Sequence, residues 1–141
     1  MYKTILVTLD TTDTDRVILD HVRDLAKLLG SRLVLLHVAD GWAARTYGPD
    51  AVSPEVEENR AYLARVVTEL TDDGFQVEAH LAYSDPVTEI VRWVDEQECD
   101  LIAMSTHGHR FLGDLFRGAT AIHVQHRVNV PVLLLRARDG G

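Results

Sequence analysis

Four times along the chain a short, β-rich apolar run is followed by a longer segment of helical periodicity, and a fifth run closes the series. The runs are Lys3 to Leu9 (KTILVTL), Arg32 to Val38 (RLVLLHV), Phe75 to Leu81 (FQVEAHL), Asp100 to Ser105 (DLIAMS) and Pro131 to Arg136 (PVLLLR). Strands that alternate with helices pair in parallel, because a parallel return needs a crossover long enough to hold a helix. The near-continuous apolar character of the first two runs fits strands covered on both faces, while the apolar–polar alternation of FQVEAHL fits an edge. The expected fold is therefore α/β: a single-domain, doubly wound, Rossmann-like five-stranded parallel sheet in the order 3-2-1-4-5, with helices on both faces. At 141 residues the chain has room for one such core, spanning 1–141, and no second.

Local signals mark the helices. Thr11, Thr12, Asp13, Thr14 and Asp15 are capping types ahead of a stripe of Val17, Ile18, His21, Val22, Leu25, Leu28 and Leu29, which Gly30 ends. Asp13 is read as the cap and Asp15 as solvated. Ser53-Pro54-Glu55 opens a second helix with the stripe Val56, Leu63, Val66, Val67 and Leu70, ended by Gly74. Ser84-Asp85-Pro86 opens a third with Val87, Ile90, Val91 and Val94. A fourth starts at Leu115 or Ala119 and runs to Arg127. Between Ala39 and Ser53 lies an aperiodic stretch with Gly41, Trp42, Tyr47, Gly48 and Pro49, long enough to serve as a lid or partner loop.

Composition narrows the function. The formal net charge is −8, from 22 acids against 14 bases, which argues against a nucleic-acid backbone as partner. No apolar stretch approaches the roughly 18 residues of a membrane span, and the N-terminus lacks a secretory cleavage pattern. Cys99 is the only cysteine, so no internal disulfide forms and the expected compartment is the cytoplasm. Lys3 and Lys27 are the only lysines and neither follows a glycine loop, so the P-loop is absent. The dinucleotide fingerprint is absent too, since DTTDTD follows the first strand. No Gly-x-Ser-x-Gly elbow supports nucleophilic catalysis.

In an open doubly wound sheet, ligands sit beyond the carboxyl ends of the strands where strand order reverses, here between the first and fourth. Thr8 to Asp13, Met104 to His109 and, at the flank, Val38 to Asp40 would line that crevice. Ser105, Thr106, His107, Gly108, His109 and Arg110, followed by Gly113, Arg117 and Gly118, form a small, polar, basic and glycine-containing stretch. It is read either as a phosphate cradle, built from backbone N–H groups at a helix start, or as a tight solvated connection. His107 with His109 and His123 with His126 have zinc-like spacing, but no cysteine or carboxylate cluster completes either pair, so no metal site is expected. His37, in a buried strand, is read as a hydrogen-bonded core histidine.

The segments YKTILVTLD, LVLLHVAD, SDPVTEIV and DLIAMSTHGHRFLGDLFRGATAIHVQHRVNVPVLLLR together resemble the universal stress protein family along essentially the whole chain. The last is the most specific. The family's nucleotide-binding branch carries Gly, two residues, Gly, nine residues, then Gly-Ser or Gly-Thr. That pattern maps onto Ser105, Gly108, Gly118 and Ala119, with serine in place of the first glycine and alanine in place of the hydroxyl residue. Thr120, His109 and Arg110 are the residues to compensate. The resemblance implies that Asp10 faces the adenosine part of ATP, beside Thr8 and Leu9, with Val38 near the adenine and Met104 bordering the pocket. Mg²⁺ would arrive on the ATP and take a carboxylate from Asp10, Asp13 or Asp15. It further implies a homodimer paired through the last strand, Val132 to Leu135. The implied function is a small ATP-binding stress-response protein, a sensor or adaptor for an unidentified protein partner, with slow hydrolysis at most. The alternatives are a nucleotide-free member acting through protein contacts, and an enzyme, either a slow ATPase or a transferase.

Overall fold

The computed structural model describes residues 1–39, 54–106 and 112–136, with side chains for 1–39, 56–105 and 120–136. Its elements in chain order are β1 (Thr4–Thr8), α1 (Asp15–Leu29), β2 (Arg32–Val38), α2 (Pro54–Asp72), β3 (Val77–Ala82), α3 (Pro86–Glu96), β4 (Leu101–Thr106), α4 (Leu112–Arg127) and β5 (Val132–Arg136). The strands form one sheet in the order β3-β2-β1-β4-β5, and every neighbouring pair is parallel. The expected architecture and strand order are both present, with strand ends displaced by one or two residues. The expected loop from Ala39 to Ser53, with Trp42 and Tyr47, lies outside the described residues after Ala39.

Period-two alternation sorts the strand side chains onto two faces. Ile5, Val7, Leu9, Leu33, Leu35, Leu101 and Ala103 pack under α1 and α2, against Ile18, Val22, Leu63 and Leu70. Leu6, Val34, Leu36, Ile102 and Met104 pack under α3 and α4, against Ile90, Val94, Ala121 and Val124. Central β1 is buried along its whole length, whereas the edge strands β3 and β5 are mostly half-buried. This is why β1 carries an unbroken apolar centre, Ile5 to Val7, and β3 alternates.

The stripe of α1 is narrower than its apolar residues suggest. Ile18, Leu19, Val22 and Ala26 are buried, but Val17 is 38% exposed, Leu28 is 82% exposed, and His21 faces solvent. Val17, His21 and Leu28 fall on one row of the helix, about 100° round from the row of Ile18 and Val22. A helix on a flat sheet buries only one such row deeply. At its C-terminus Gly30 takes the left-handed conformation (φ 71) and donates its N–H to Ala26, as a helix-ending glycine does. Helix α3 begins as expected. Asp85 accepts from the Thr88 N–H at 3.0 Å, and Pro86 occupies the first turn.

The opposite end of the sheet from the crevice is tied down by Asp100. Its carboxylate accepts the backbone N–H groups of Lys3 (2.9 Å) and Thr4 (3.1 Å). Next to it Cys99 is buried in the α3–α4 core, and burial pushes its thiol up to about 11. Trp93, absent from the expected stripe of Val87, Ile90, Val91 and Val94, packs half-buried on that core and stacks on His80, ring centroids 4.0 Å apart. Its indole N–H has no hydrogen-bond partner among the described residues.

Candidate functional site

The reversal of strand order falls between β1 and β4, which run side by side with Val7 opposite Ala103. Their carboxyl ends therefore bring Thr8, Leu9 and Asp10 beside Met104 and Ser105. Val38 ends the neighbouring β2, two residues beyond Leu36, the partner of Thr8. Thr8, Leu9, Met104 and Ser105 are buried, while Asp10 and Val38 are half-buried. Val38 and Met104 share the α3–α4 face, and Leu9 belongs to the core under α1 and α2. Thr120 lies half-buried on α4, next to Ala121, which contacts the same core as Met104. Gly108, His109 and Arg110 lie outside the described residues.

Gly118 and Ala119 are placed differently from the sequence expectation. Helix α4 begins at Leu112, so both lie inside it and not at its first turn. Gly113 and Gly118 are poor helix residues, yet the helix runs through both. Neither terminates the helix here, so the amides at its start belong to residues ahead of Gly118.

The turn that follows β1 is held by a residue the sequence reading assigned to solvent. Asp15 is fully buried. Its two carboxylate oxygens accept the backbone N–H groups of Asp10 and Thr11, each at 2.8 Å, and the Tyr62 hydroxyl donates to it at 2.8 Å. Burial raises its pKa, and these three hydrogen bonds work against that rise. The same burial, with the Asp15 charge beside it, drives the Tyr62 phenol upward. Asp13, expected to cap α1, is exposed. The cap position belongs to Thr14, whose side chain makes no capping bond. Thr11 sits at φ 63, an uncommon conformation for a non-glycine residue.

His37 is the hydrogen-bonded core histidine expected. It is buried, and its Nδ1 lies 2.7 Å from the Leu9 carbonyl oxygen. A carbonyl only accepts, so this nitrogen carries the proton. The bond fixes the last residue before Asp10 from the β2 side, as Asp15 fixes the next two from α1. Tyr62 also lines a cleft of about 440 Å³ between α1 and α2, together with Arg16 and Arg65. Its ring lies 6.0 Å below the Arg65 guanidinium.

Asp15 and Tyr62 were not legible as partners, because 47 residues separate them. The one local signal was a tyrosine next to the apolar stripe of α2. Among the described residues, no three His, Cys, Asp or Glu side chains gather as a metal site would require.

A family model described as the universal stress protein family matches residues 1–136. The chain belongs to the universal stress protein family. Universal stress protein MJ0577 of Methanocaldococcus jannaschii is 27% identical over 158 aligned positions, covering 99% of this chain and 98% of that protein. The solved structure of MJ0577 superposes with a TM-score of 0.80 at 28% identity, over 99% of both chains. A universal stress protein in complex with cAMP has the same fold, with a TM-score of 0.72 at 19% identity over 97% of this chain and 98% of that one. So does the universal stress protein of Archaeoglobus fulgidus in complex with dAMP, with a TM-score of 0.68 at 23% identity over 94% and 97%.

Proposed function

We propose that this universal stress protein binds an adenine nucleotide, ATP, in the crevice at the carboxyl ends of β1 and β4, and acts in the cytoplasm as a nucleotide-responsive sensor or adaptor. One observation carries the reading. The strand-order reversal gathers Thr8, Asp10, Val38, Met104 and Ser105 around one mouth of the sheet, which is where open α/β sheets take ligands. The cAMP and dAMP complexes of two structural relatives support the ligand class, since both ligands pair adenine with a phosphate.

In this reading Asp10 addresses the nucleoside, Val38 and Met104 supply apolar contact for the base, and Leu9 shapes the floor from the core. Ser105, Gly108, His109, Arg110, Gly118, Ala119 and Thr120 serve the phosphates. Mg²⁺ bound to phosphates needs only one or two carboxylates. The three hydrogen bonds of Asp15 commit it elsewhere, and the exposed Asp13 is the residue to hold the ion. The ion would neutralise phosphate charge there.

Hydrolysis is slow or absent. Lys3 precedes β1 and Lys27 sits in the last turn of α1, so both lie at the end of the sheet away from the crevice, and phosphoryl transfer depends on positioned cations. The assembly proposed is a homodimer paired through β5, whose Leu134 is 41% exposed.

Mass spectrometry of the purified, denatured protein is expected to release an adenine nucleotide. Titration calorimetry with ATP and Mg²⁺ is expected to give saturable binding that Asp10→Ala weakens. No released nucleotide and no heat at millimolar ATP would replace this reading with a nucleotide-free protein that works through protein contacts.

A further inference from the structure

The Asp15–Tyr62 pair is bonded to the turn that follows β1 and carries Asp10. A first-turn carboxylate normally stays at the surface near the helix start, where its charge suits the amides there. Asp15 does neither. It is fully buried, and it reaches back out of the helix to the amides of Asp10 and Thr11, five and four residues earlier. Those amides belong to the turn in which Thr11 takes its left-handed conformation at φ 63. A strained residue of this kind persists only where its surroundings dictate it. The hydroxyl of Thr11 adds a bond to the Asp10 carbonyl oxygen at 2.5 Å. Both the N–H and the carbonyl oxygen of Asp10 are thereby bound by residues of the same turn and helix start.

The third bond comes from α2. Tyr62 donates its hydroxyl to the same Asp15 oxygen that holds Thr11, both at 2.8 Å. Helix α2 makes no other side-chain hydrogen bond to the β1–α1 turn among the described residues, and it follows directly on the 40–53 segment.

We propose that Asp15 and Tyr62 are positioning residues for the nucleotide: together they lock the turn that presents Asp10, and so make the seating of α2 a determinant of nucleotide affinity. The proposal rests on the nucleotide-binding reading above. Any partner that shifts α2 alters affinity through this pair, without touching the nucleotide.

The test is a double-mutant cycle read by ATP titration. Tyr62→Phe keeps the ring and removes only the donated hydrogen. It is expected to weaken ATP binding about threefold to tenfold, the worth of one hydrogen bond. In an Asp10→Ala background the same substitution is expected to change affinity by less than about twofold, because the residue being positioned is gone. Asp15→Asn, which sets an amide against two backbone donors, is expected to act in the same direction more strongly. Hydrogen exchange of the Asp10 and Thr11 amides in Tyr62→Phe is expected to speed up by more than the loss of global stability, read as the urea midpoint, accounts for.

An equal loss in both backgrounds would mark a general structural effect and overturn the proposal, as would no loss in either. Wild-type protein that binds no ATP would instead overturn the nucleotide reading, and the positioning role with it. Should Asp15→Asn fail to fold, the Tyr62→Phe cycle decides alone.

Discussion

Two hydrogen-bonded carboxylates respond to acid in opposite senses. At Asp100, burial alone would raise the pKa, but the amides of Lys3 and Thr4 outweigh it and hold the carboxyl below 3.8. A depressed folded pKa means stability that is present above 3.8 and lost as pH falls through the folded value. Asp100→Asn is therefore expected to cost about 1 kcal/mol at neutral pH, one charged hydrogen bond discounted for partial exposure. The gap from wild type, read by urea unfolding, should close in acid. Asp15 is raised, chiefly by burial, so its titration favours the fold below 3.8 and that contribution is lost as pH rises through the folded value. Removing it in Asp15→Asn should steepen the fall of stability with acid, measured as urea midpoints from about pH 6 to 3. Neither role was legible from residue type, since an aspartate just ahead of a strand or at a helix start has the same appearance in sequence whether it caps, solvates or turns inward.

At the scale of elements, the caps were the legible part. Ser84-Asp85-Pro86 announced α3 because a carboxylate at the cap accepts an orphan amide and proline suits the first turn, and Asp85 does accept from Thr88. Asp85→Ala is expected to destabilise by about 1 kcal/mol and Asp85→Ser by much less, by thermal unfolding. Gly74 ends α2 at φ 95, so Gly74→Ala should also cost about 1 kcal/mol through backbone strain alone, because nothing lies within 4 Å of the added methyl. The apolar count of α1 misled, because Val17 and Leu28 sit off the sheet-facing row. The start of α4 misled as well, because glycine propensity is a weak prior that packing of Ala121 and Val124 overrides.

For the whole molecule, alternation and parallel pairing narrowed the strand order to a few doubly wound arrangements, and the expected one, 3-2-1-4-5, is the one observed. The mouth between β1 and β4 followed from that order. The lock behind it did not, because it joins helices far apart in sequence. If β5 pairs two copies, Leu134→Arg is expected to give monomers in sedimentation without loss of secondary structure. ATP with Mg²⁺ at about a hundredfold excess over Kd should add roughly 2.7 kcal/mol of stability by linkage, seen as a rise in Tm. The lone cysteine has a practical use that follows from its burial. Cys99 is 4% exposed, and its thiol is held protonated near neutrality, so alkylating reagents meet it only when the polypeptide opens. The molecule thus carries a built-in clock for its own opening, one covalent mark per chain, and ligand-induced protection can be timed with no label added.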